Sequence, residues 1–131
     1  MAKINDLLEK MKLSDLLLGI IMLKEGNQKF DDDALELGLR RSSQKYERLK
    51  DYFRVSSDMA GENRTSLDNY MFFLGIGMLL DTGNYQFKYL TKHGREYTEK
   101  ELKKNYGRNI FDKLKPVANE IWKEAKKHKR Y

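Results

Sequence analysis

The run Leu16-Leu17-Leu18-Gly19-Ile20-Ile21-Met22-Leu23 is the most apolar stretch of the chain, and everything folded around it must cover it. Eight residues cannot span a bilayer, whose hydrocarbon core needs about 20. Lys10 and Lys12 precede the run as the basic end of a secretory leader would. Asp15 abuts it, however, and Lys24-Glu25 follow where small residues should precede a cleavage site. The run reads as a core helix, capped by Ser14 and ending at Gly26-Asn27, in a cytoplasmic protein with no membrane contact.

The remaining elements follow from spacing. One proline against nine glycines, with many Leu, Lys and Glu, favours helices over a many-stranded sheet. Ile4, Leu7, Leu8 and Met11 form an amphipathic helix. Residues 28–30 make a brief strand. Asp33 with Glu36 opens a helix through Leu35 and Leu39, and the acidic run Asp31-Asp32-Asp33 is explained by the helix macrodipole. Ser42 or Ser43 divides it from a helix bearing Tyr46, Leu49 and Phe53. Residues 55–64, polar and containing Gly61, read as a loop or a loosely helical turn. Thr65 with Asp68 opens an apolar helix over 67–74. Asp81-Thr82-Gly83-Asn84 is a turn between Met78-Leu79-Leu80 and the alternating segment 85–90, which together make a hairpin. Thr98 and Glu101 form a capping box for a further helix. Ile110, Phe111 and Leu114 continue the apolar pattern, and Pro116 fits the first turn of a last helix carrying Val117, Ile121 and Trp122.

Charge and chemistry narrow the function. Residues 88–131 hold fourteen Lys/Arg against six Asp/Glu, a net of +8, whereas residues 1–87 hold twelve against fourteen, a net of −2. Such asymmetry suggests a polyanion contact on one part of the surface. The absence of cysteine excludes disulfides and thiolate metal sites. His93 and His128 lack partners at ligand spacing, so no metal is expected. No GxSxG, P-loop, GxGxxG or HExxH is present. The chain is therefore expected to bind, not to catalyse, and to need no cofactor.

The stretch 65–97 reads TSLDNYMFFLGIGMLLDTGNYQFKYLTKHGREY. It resembles the second half of a winged helix-turn-helix domain, in which the recognition helix runs into L-x-x-L-x-x-x-G-L-L, then a short hairpin, then Y-x-L-T-x-x-G. Tyr70, Leu74, Gly77, Leu79 and Leu80 supply the first part, and Tyr89-Leu90-Thr91-Lys92-His93-Gly94 the last. In that frame Leu90 is buried, Thr91 caps the next turn, and Gly94 takes a backbone geometry that other residues resist.

The resemblance implies a mainly α chain with a small β-hairpin, an α+β winged helix-turn-helix with extra N- and C-terminal helices. Residues 1–97 would form that domain and residues 98–131 a basic helical extension. It further implies a transcriptional regulator bound to double-stranded DNA. Arg64, Thr65, Ser66 and Asn69 would face base edges and phosphates, Asn84 the adjacent backbone, and Lys88, Lys92, His93 and Arg95 the phosphates. A homodimer is expected, paired through Ile110, Phe111, Leu114, Val117, Ile121 and Trp122. Residues 67–80, however, contain no Lys or Arg and include Asp68. This favours a rival expectation, a protein-interaction module that keeps the winged-helix shape and docks a partner through Phe72 and Phe73.

Overall fold

The computed structural model describes residues 2–26, 28–57, 63–77, 79–82 and 87–127. Helix α1 (Ala2–Lys10) leads into α2 (Leu13–Met22), which is buried from Asp15 to Ile21. An apolar helix of this kind needs cover on every side, and α5, α6 and the sheet provide it. Gly19 marks where they come closest: a Cβ there would lie 3.0 Å from side-chain carbons of both Leu102 and Leu114. The start of α2 differs from expectation. Its N-cap is Lys12, without a side-chain cap bond. The one buried carboxylate of its first turn, Asp15, accepts from Tyr106 Oη at 2.7 Å, and that oxygen in turn accepts from the Lys12 N–H at 3.1 Å.

Strand β1 (Phe30–Asp31) runs directly into α3 (Asp32–Ser42). Asp31, not Asp33, is the cap, its Oδ1 accepting from the Asp33 N–H at 2.8 Å. The next segment, Glu47–Phe53, is a 3-10 helix rather than an α-helix. It is pinned to the α1–α2 junction by Arg48 Nη2 donating to the Met11 carbonyl (2.8 Å) and Tyr52 Oη donating to that of Leu13 (2.5 Å). The expected loop over 55–64 is also corrected. Val55–Ser57 (β2) and Asn63–Thr65 (β3) pair antiparallel, with Val55 opposite Thr65. Strands this short and polar lack the alternation that would disclose them.

Thr65 caps α4 (Ser66–Ile76) as its spacing predicts, Oγ1 accepting from the Asp68 N–H at 3.2 Å. Helix α4 passes into β4 (Leu80–Thr82), which pairs with β5 (Phe87–Leu90) in the expected hairpin. The turn of that hairpin, including Asn84, lies outside the described residues. β5 also pairs with β1, giving a three-stranded antiparallel sheet of order β1-β5-β4. The architecture is thus mainly α with a small antiparallel sheet.

Two helices complete it. α5 (Lys92–Tyr106) is capped by Thr91, whose Oγ1 accepts from the Gly94 N–H at 2.9 Å. Thr98 is not a cap: it is buried within α5 and donates to the Gly94 carbonyl at 2.7 Å, a bond that a threonine inside a helix can make to the preceding turn. The boundary expected at 97/98 falls inside α5. Gly94 serves packing, not unusual geometry, since a Cβ there would stand 2.2 Å from the Leu79 carbonyl oxygen. α6 (Ile110–Ala125) holds Pro116 in its interior, at an exposed position where water can take the carbonyl its ring leaves unbonded.

The stripe expected to pair two copies faces inward. Ile110, Leu114, Val117 and Ile121 are fully buried, Trp122 nearly so, and Phe111 packs half-buried against the same core. Their neighbours are α2 and α3 of their own chain. Trp122 Nε1 donates to the Ile20 carbonyl at 2.8 Å, and its ring meets Phe30 edge-on at 5.8 Å. The apolar faces of α2 and α3 needed this cover, so the stripe is not free for a partner.

Candidate interaction site

Helix α4 buries only Leu67 and Leu74. A helix whose outward side was merely polar would then present charges to water, but α4 presents Phe72, Phe73 and Ile76, exposed by 55%, 63% and 62%. The two phenyl rings meet edge-on at 5.8 Å. Neither the N-terminal helices nor the C-terminal stripe of the same chain covers them.

Beside this patch a groove of about 660 Å³ runs between α3, α4 and the sheet. Its apolar lining comes from Leu35, Leu67, Met71, Phe72, Ile76 and Leu80. Its ionisable lining is Asp32, Asp33, Glu36, Asp68 and Asp81, with Lys88 the one cation among the described lining residues. The carboxylates have local structural reasons: Asp32, Asp33 and Asp68 lie in first helical turns, where the macrodipole favours them. Their sum is a strongly acidic rim around an apolar trough. They surround the groove without converging, for among the described residues no three acidic or imidazole groups are placed to share a metal ion.

Of the residues expected to hold DNA, some are engaged within the fold and others face solvent. Lys88 is ion-paired with Asp32 inside the groove, its side chain 17% exposed. Thr65 is engaged as the α4 cap, and Ser66 directs both its N–H (2.9 Å) and its hydroxyl (3.5 Å) to the Arg54 carbonyl. Arg64 and Asn69 are half-buried. Lys92 and His93 are exposed and Arg95 half-exposed, all in the first turn of α5 and not on α4. Arg64, Thr65, Ser66 and Asn69 stand around the start of α4, and Lys92, His93 and Arg95 at the start of α5.

Sequence reasoning missed the acidic rim. Each carboxylate taken singly is a cap, a first-turn acid or a turn residue; only the fold gathers residues 32–36, 68 and 81 around one trough. No protein-family model, no curated protein and no solved structure matches this chain. Among the described residues, no helix is long and apolar enough to cross a membrane.

Proposed function

We propose that the chain is a winged-helix-type binding module that recognises a protein segment through α4, not base edges. The order of elements supports the scaffold: α4 runs into a hairpin, β5 ends on buried Leu90, and Thr91 caps the following helix. The observation that carries the function is the outward face of α4, three large exposed apolar side chains beside an acidic trough. Exposed apolar clusters with charged rims mark association surfaces. Inserted into a DNA groove, the same face would set aromatic rings and carboxylates against phosphates, which no ion pairing would offset. The complementary occupant is a segment with Leu- or Ile-like residues on one side and Lys/Arg on the other, docked as a helix in a groove.

The test is fluorescence anisotropy with a labelled amphipathic peptide of Leu and Lys on opposite faces. Binding should weaken about tenfold in Phe72→Ala/Phe73→Ala, as expected for loss of an aromatic anchor. Asp33→Asn/Asp68→Asn should weaken it and flatten its salt dependence. Equal affinity across all these proteins overturns the reading.

A second reading rests on one observation, the net +8 of residues 88–131 with Lys92 and His93 exposed. In it the start of α5 grips phosphates. Duplex DNA binding that falls steeply with salt, and is lost in Lys92→Glu/Arg95→Glu, would favour this alternative.

A further inference from the structure

On the far side of α3 a second cleft, of about 300 Å³, opens between the end of α2, β1 and the last turns of α6. Its inner wall is aromatic: Phe30 and Trp122 both line it, in edge-on contact with each other. Lys24, Lys29, Lys123 and Lys126 converge on it against two acids, Glu25 and Asp31, so its ionisable lining is net positive. One of those acids already has work, since Asp31 caps α3. Lys24 Nζ stands over the Trp122 ring, 5.6 Å from its centroid. Partial burial lowers the pKa of that ammonium, and the facing charge of Lys126 lowers it further. Two cations are thus brought together against an aromatic surface, where each raises the cost of the other.

We propose that this cleft binds a small organic anion with a flat apolar body. The anionic group would sit between Lys24 and Lys126 and form charge-assisted hydrogen bonds with each. The flat body would lie against the part of Trp122 that lines the cleft, beside Lys24 Nζ. The cleft is at the low end of ligand-pocket sizes, which limits the body to roughly one or two rings. This inference is independent of the α4 interface, for the two clefts lie on opposite sides of the first turns of α3 and share no lining residue.

Trp122 is the only tryptophan in the chain, so its emission reports the site directly. The probe is phenyl phosphate, which does not absorb where tryptophan is excited at its red edge. A saturable change in Trp122 emission is expected. Lys24→Gln and Lys126→Gln should each weaken it about tenfold, the worth of one charge-assisted hydrogen bond. Lys113→Gln, at an exposed position outside the cleft, should leave it unchanged. Inorganic phosphate (charge without ring) and benzyl alcohol (ring without charge) should both bind more weakly. Benzyl alcohol binding as tightly would make the cleft a plain apolar slot and overturn the proposal. Equal binding of inorganic phosphate would make it a bare phosphate contact, such as a nucleic-acid backbone supplies, and overturn it too. So would the absence of saturation at millimolar phenyl phosphate, or indifference to both lysine substitutions.

Discussion

At Gly38 one added carbon would sit 2.3 Å from the Ile121 carbonyl oxygen, against backbone that cannot swing aside. This glycine lets α3 and α6 close to contact. Gly38→Ala should therefore lower the unfolding free energy, read from urea denaturation, by about 1–3 kcal/mol for an overpacked core. Gly75, also helical, has nothing within 4 Å of the same position, and Gly75→Ala should raise stability by up to about 1 kcal/mol. Opposite signs for one chemical change would confirm that helix packing, not glycine flexibility, explains Gly38. Tyrosines give a second test at this scale. Burial raises the pKa of Tyr52 well above its ordinary value of 10.0, and burial with the Asp15 bond raises that of Tyr106. A folded-state pKa raised in this way means that the unfolded chain loses the proton first. The stabilisation is complete below pH 10 and falls away as pH rises through the folded values. Urea midpoints should drop as pH rises above about 10, and the drop should be smaller in Tyr52→Phe.

Helices α4 and α6 look alike in sequence, each rich in large apolar residues, and the fold uses them in opposite ways. In α6 the apolar side chains recur at one helical spacing and meet α2 and α3. In α4, Met71, Phe72 and Phe73 follow one another, so no single core can take them all. Phe72→Ala/Phe73→Ala should accordingly leave thermal stability within about 0.5 kcal/mol of wild type, while Trp122→Ala should cost about 3–5 kcal/mol without changing the sedimenting mass. Thr65→Ala, removing the α4 cap, should cost about 1 kcal/mol. Much of this organisation was legible beforehand. The helix cap at Thr65, the β4–β5 hairpin and the turn at Thr91 rest on local rules, and local rules were enough. Thr98 with Glu101 satisfied the same capping rule, but lies inside α5, because such a spacing also occurs in uninterrupted helix. The ribbon of β2 and β3 left no trace, since its pairing is carried by backbone and its side chains by no periodic pattern. The acidic trough and the lysine cleft draw on residues up to about a hundred positions apart, so spacing alone could not assemble them.

The described fold is closed by α6. Ile20 and Trp122 are joined by a hydrogen bond across 102 positions, and α2 is enclosed only once α5 and α6 are in place. A chain ending at residue 109 should therefore fail to give a cooperative melting transition. The same closure has a consequence during synthesis. The apolar run of α2 leaves the ribosome well before its cover, so until α6 emerges the growing chain carries an unshielded adhesive helix. Domains fold as units when their long-range partners arrive, and exposed apolar segments aggregate in the meantime. Fragments that stop before α6 are consequently not smaller versions of this protein but substrates for chaperones and proteases. Emergence of α6 is the event that shields α2.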